Sequence, residues 1–248
     1  MWTRHELKTR AKAVLKVSYW KAFLASLLIA IVSGRGGSAP NFNWDMRHND
    51  FERMPSFENI DPGMLTAIII AGITAGTIFI LFALAFRIFL GYPLEVGGRK
   101  YFVQSARQDV NLNYLGYAFN KEKYINIIKA MFWRGLLNFL WFLLLIIPGI
   151  VKYYAYSMVP YILAENPGID YKRAVELSKK MTDGEKFRMF VLDLSFIGWY
   201  LLGLLALFVG MLFVMPYENA TKAELYLVLR QKALDNGTAG YDEFGIAG

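Results

Sequence analysis

Cysteine is absent from the 248 residues, and histidine occurs only as His5 and His48. The first absence excludes disulfides, thiolate metal sites and a cysteine nucleophile. The second leaves no histidine pair at metal-ligand spacing. Charge is also scarce, at 19% of residues against 56% apolar, where a soluble domain averages about 25% and about 45–50%. The places where charge is missing matter more than the total. Met64–Phe86, Ala22–Ser33 and Gly135–Val151 contain no charged residue, and Met189–Met215 contains only Asp193. An apolar run of about 18 residues has no polar face to show to water, whereas a bilayer accepts it all round. The chain therefore reads as all-α, a polytopic transmembrane helical bundle in a cell membrane.

The formal charge is +7. Most Lys and Arg flank the apolar runs, a placement that fits topology signals and anionic lipid as partner, and not nucleic acid. Residues 1–33 are basic and then apolar, as in a secretory signal. The basic part is too long for one, and the small residues Gly37-Ser38-Ala39 run into Pro40, so this segment is expected to stay as a first membrane helix.

Residues 1–232 read as one membrane domain with helices at about 18–33, 64–90, 130–147, 150–164, 187–207 and 211–230, followed by a flexible tail at 233–248. Six crossings put both termini in the cytoplasm; five is the alternative. Ahead of the first span, Thr3–Lys16 has capping-box spacing at Thr3 and Glu6 and an apolar stripe at Leu7, Ala11, Val14 and Leu15, the pattern of a helix lying on the membrane surface. Residues 34–63 hold five acids and no Lys, which makes them the outer loop under the positive-inside bias. Ala67, Ala71, Gly72, Ala75 and Gly76 offer small residues for packing within the bundle, or for a homo-oligomer or membrane-protein partner. The basic stretches 91–129 and 165–188 must share the cytoplasmic side, so Ala130–Ala164 is read as a hairpin reversed at Pro148-Gly149. Asp170 caps a short interfacial helix that Gly184 ends.

Several strings resemble one family: Tyr92-Pro93-Leu94-Glu95-Val96-Gly97-Gly98-Arg99, Ile146-Ile147-Pro148-Gly149-Ile150, Ser157-Met158-Val159-Pro160-Tyr161, Leu192-Asp193-Leu194-Ser195-Phe196 and Pro216-Tyr217 with Ala220-Thr221. They are similar to a bacterial membrane family catalogued as domain of unknown function 975. The resemblance implies a polytopic membrane protein, commonly of Gram-positive bacteria, and brings no established activity, cofactor or catalytic residue.

Two groups of residues remain as candidate sites. Arg87, Arg134, Asp193 and Glu218 fall within or beside apolar runs on different helices, where an ionised group is costly unless paired or wetted. Asp193 is expected to face the interior with Arg134 or Arg87 as partner, either as a structural ion pair or as a functional group. Gly97-Gly98-Arg99-Lys100 offers Arg99 and Lys100 to an anionic headgroup, or is a helix-packing turn with a topology signal. Ser18 and Lys21 lack the companion motifs of an acylating pair. Glu218 and Glu224, six apart, do not share a helix face. No catalytic residue, metal or cofactor is expected. The function read from the sequence is non-enzymatic, through lipid or protein contacts in the cell envelope; the alternative is a transporter or channel for a small solute or lipid, and a lipid-acting membrane enzyme is a third class.

Overall fold

The computed structural model describes residues 2–33, 61–205 and 209–246. Among them every regular element is helical. In chain order these are α1 (Arg4–Ser33), α2 (Pro62–Phe86), α3 (Tyr92–Ala106), α4 (Lys121–Leu144), α5 (Ile146–Ala155), α6 (Val159–Glu165), α7 (Tyr171–Met181), α8 (Lys186–Leu205) and α9 (Val209–Asp235). A π-turn, Arg87–Gly91, joins α2 to α3, and short 3-10 turns occupy Leu112–Phe119 and Asp242–Phe244. Four stretches are long and apolar enough to cross a membrane: Arg4–Val32, Pro62–Ala106, Lys121–Leu144 and Lys186–Leu204. The expected helix at 150–164 is instead divided between α5 and α6, each far short of the roughly 20 residues a crossing needs. The sixth exists as α9 but carries Glu218, Lys222 and Glu224 among its apolar residues.

The N-terminal half of α1 differs from the surface helix expected. Thr3 Oγ1 does accept the Glu6 N–H at 3.2 Å. Trp2, Leu7, Ala11 and Leu15, however, are buried, and α1 packs chiefly on α9 and α3. The same apolar stripe that could sit on lipid is covered by protein. At Ser18 the backbone leaves helical geometry (φ −135°, ψ 25°), and its hydroxyl bonds back to the Val14 carbonyl at 3.1 Å, a competing local bond that bends helices.

Asp61 caps α2 and Pro62 opens it, where a missing N–H costs nothing. No residue of α2 is buried, and Gly72 and Gly76 have no neighbour within 4 Å. Its small residues therefore do not pack within the bundle as expected. The π-turn that follows has an identifiable cause. Pro93 lacks the N–H that would bond the Phe89 carbonyl, and that carbonyl accepts instead from Tyr124 Oη at 2.7 Å. Beyond the turn, Arg87 donates to the Val32 carbonyl, so the C-terminal ends of α1 and α2 meet. An antiparallel pair crossing a bilayer would place those ends on opposite faces. The proposed outer loop itself lies largely outside the described residues.

The hairpin between α4 and α5 turns at Leu145 (φ −158°, ψ 143°), three residues before Pro148. Proline falls in the first turn of α5, where no donor is required, so it starts the second arm and does not make the reversal. Gly149 lets that arm approach: a Cβ there would meet the Phe142 ring at 2.6 Å. Between α5 and α6 the helix breaks, and α7 supplies the missing partners. Ser178 Oγ donates to the Ala155 carbonyl at 2.8 Å and accepts from the Met158 N–H at 3.2 Å. Asp170 caps α7 by accepting from Lys172 and Arg173 N–H groups. Its apolar stripe is buried in the body, whereas an interfacial position was expected.

Pro216 does not break α9, which runs through it. The described part of the tail packs on the body. Phe244 is buried, Arg173 pairs with Glu243 at 2.6 Å, and Asn166 donates to the Asp242 and Glu243 carbonyls.

Candidate functional site

The body of the bundle, and not its apolar surface, holds the charges. Glu95 on α3 is 5% exposed. It accepts from Arg87 at 3.0 Å through one carboxylate oxygen and from Arg134 on α4 at 3.4 Å through the other. Asp193 on α8 accepts from Tyr154 Oη at 3.0 Å and pairs with Lys222 on α9 at 3.2 Å. Lys222 also reaches Glu218, one turn earlier, at 2.6 Å, and Tyr200 donates to the same Glu218. Between the two networks Arg99 donates to Asn219 Oδ1 at 2.7 Å and to Tyr161 Oη at 3.2 Å. Asn219 in turn donates to Ser26 Oγ on α1 at 3.0 Å. A cavity of about 40 Å³ separates them, lined among others by Glu95, Arg99, Arg134, Tyr154, Asp193 and Lys222.

The four residues singled out in the sequence therefore belong to one region, but their wiring differs from expectation. Asp193 pairs with Lys222 and not with Arg134 or Arg87; those two arginines converge on Glu95. Glu95 is inconspicuous in the sequence because it lies past the apolar run, in a stretch that reads as a cytoplasmic loop, whereas the helix continues through it. Its signal was the spacing to Arg87 and Arg99 along a helical frame. Arg99 is buried in the body, and Gly97 and Gly98 are helix-packing residues. A Cβ at Gly97 would meet the Leu115 carbonyl oxygen at 2.2 Å, and one at Gly98 the Ile29 side chain at 2.4 Å. Lys100 points elsewhere, with its ammonium 4.7 Å from the Tyr117 ring centre.

Two further buried carboxylates repeat the pattern of one acid held by two cations. Glu165 accepts from Arg107, from Arg230 at 2.6 Å and from Tyr226 Oη at 2.6 Å. Glu185 pairs with Arg188 at 3.0 Å and Lys232 at 2.7 Å. Burial alone would raise the Glu185 carboxyl, but Lys232 and Arg188 outweigh it and hold it below its ordinary value. Arg188 also donates to the Trp2 carbonyl, which brings both terminal segments to one end of the body.

That end carries an open groove of about 1400 Å³. Trp2, Val14, Val17, Leu227 and Val228 supply apolar wall. Arg10, Arg107, Arg188, Arg230 and Lys232 line it with Glu185, Glu224 and Asp235, five cations against three carboxylates. Among the described residues no group of His, Asp and Glu is placed to hold a metal ion.

Neither the curated proteins nor the solved structures contain a match to this chain. A family match does exist, narrower than the resemblance in the sequence: it runs from the middle of α4 through most of α9, so it includes Arg134, Asp193, Glu218 and Lys222 and leaves out Arg87, Glu95 and Arg99. Residues 130–233 match the family model described as Protein of unknown function (DUF975), so over this segment the chain is similar to that family.

Proposed function

We propose that the protein is a multi-pass protein of the cell membrane that works without covalent chemistry, by holding anionic lipid at the groove between α1, α3 and α9. The groove carries this reading: it has the capacity for a lipid headgroup and part of a chain, an apolar wall, and five cations on its lining. Val17, 87% exposed beside it, is an apolar side chain that acyl chain or interface would cover. Both termini on the cytoplasmic side is the accompanying topology. In its support, Trp2 and Lys232 both reach the Glu185-Arg188 segment, and α8 and α9 lie close enough that a Cβ at Gly203 would meet the Met211 backbone at 2.7 Å.

Native mass spectrometry of the purified protein with lipid retained tests the reading. Phosphatidylglycerol should be held in preference to phosphatidylcholine. Replacing Arg10 and Lys232 by Gln should weaken that preference by roughly fivefold per charge, corresponding to about 1 kcal/mol for each basic residue near an anionic surface. Equal retention of the two lipids, unaffected by the substitutions, would remove the proposal. A transporter is the second reading, favoured by the internal cavity between Glu95, Asp193 and Lys222; uptake of a solute by vesicles containing only this protein would establish it.

A further inference from the structure

The internal cavity has a charge imbalance that the lipid reading does not use. Arg99 is 6% exposed, yet its hydrogen-bond partners among the described residues, Tyr161 and Asn219, are neutral. Its Nε is buried without a partner, as is that of Arg134. The nearest carboxylate on the same helix, Glu95, is already shared by Arg87 and Arg134. On the other side Lys222 is shared by Asp193 and Glu218. Four cations, Arg87, Arg99, Arg134 and Lys222, thus face three carboxylates. A guanidinium cannot shed its charge by deprotonation in a protein, and burying one without a counter-charge is among the costlier things a fold can do. The cavity lies where the missing charge belongs, lined by Arg99, Arg134 and Lys222 together.

We propose that this cavity binds one small monovalent anion of the halide class, seated among Arg99, Arg134 and Lys222 and completing the charge balance of the bundle. Its volume, about 40 Å³, exceeds the roughly 10–15 Å³ that a single water requires. It is far below the roughly 300 Å³ at which pockets for organic ligands begin, which excludes phosphate esters and lipid headgroups. Tyr161 also lines it, and its hydroxyl, which accepts from Arg99, keeps a proton to donate to a halide. The anion is a structural counter-ion on this account, so the proposal stands on the cavity and is independent of the lipid groove.

Chloride and bromide are the probes. Protein purified in gluconate and titrated with chloride at constant ionic strength should show a saturable rise in melting temperature, and bromide should reproduce it. In crystals grown with bromide, an anomalous peak should lie between Arg99 and Arg134. Arg99→Met should abolish the chloride dependence while Lys12→Met, remote from the cavity, retains it. The wild-type measurements stand even if Arg99→Met does not fold. Equal melting in gluconate, chloride and bromide, or a cavity without anomalous density, would overturn the proposal. Neither result bears on lipid retention, so the two readings fail separately.

Discussion

α2 and α3 are consecutive parts of one helical run, yet they are opposites. α2 contains only apolar, small and hydroxyl residues beyond its first turn and buries none of them; α3 carries Glu95, Arg99 and Lys100 and buries ten of its fifteen residues. In a water-soluble protein the more apolar segment would be the buried one. On the proposed membrane reading lipid is the solvent for α2, so apolarity on the outside costs nothing, and protein is the solvent for the charges of α3, which need partners that lipid cannot give. The π-turn at Arg87–Gly91 marks the change from one environment to the other.

The largest break in this contrast comes from Glu95. Replacing it by Ala leaves Arg87 and Arg134 without a shared carboxylate and should cost about 3–5 kcal/mol, the range for removing one member of a buried pair. Folded yield and melting in detergent would report it. The same substitution at Asp61, the cap of α2, should lower melting much less, within about 0.5–2 kcal/mol.

Next in size is the pair on the facing helices. Lys222→Met should destabilise by stranding Asp193 and Glu218, and Asp193→Asn should recover part of that loss. A coupling of about 0.5–3 kcal/mol between the two positions is expected if they share an ion pair. A double-mutant cycle on melting free energies measures it, and additive effects would mean that the pairing is wrong.

Much of the fold was legible. The long uncharged runs announced α2, α4 and α8, because an apolar run that long has no other stable environment. The candidate site was legible only in outline, and the reason is physical. On sequence grounds Arg107, Arg188 and Arg230 read as flanking charges, but each is held by a buried carboxylate. Sequence position next to an apolar run looks the same whether the cation faces headgroups or an acid from another helix. Glu95, Glu165 and Glu185 were invisible as hubs because their partners come from distant parts of the chain. The docked tail escaped for the same reason: Phe244 is one aromatic among small and polar residues, and only the Arg173 pairing across the fold makes it an anchor.

Glycine substitutions sharpen the comparison at smaller scale. Gly98→Ala drives a methyl into Ile29 and Gly97→Ala into the Leu115 carbonyl; each should destabilise by about 1–3 kcal/mol. Gly72→Ala meets nothing, so melting should hold or rise, since alanine favours helix by up to about 1 kcal/mol.

The smallest effect concerns the tail. The Arg173 guanidinium beside Glu243 holds that carboxyl below its ordinary value. A depressed carboxyl pKa contributes stability above the unfolded value, roughly 4.3 for Glu, and loses it as pH falls through the folded value. Protection factors of residues 240–246, corrected for the intrinsic pH dependence of amide exchange, should therefore be higher at neutral pH and fall in acid. Glu243→Gln should remove the pH dependence without altering global melting.

The most direct test of the central claim, that lipid and not protein surrounds α2, is oxygen accessibility measured with single spin labels placed at successive positions from 66 to 84. The absence of native cysteine makes each label unique. The account predicts uniformly high accessibility around the whole helix; a 3.6-residue oscillation with its minimum on the face of Gly72 and Gly76 would contradict it, because a second helix, of this chain or of another copy, would then cover that face.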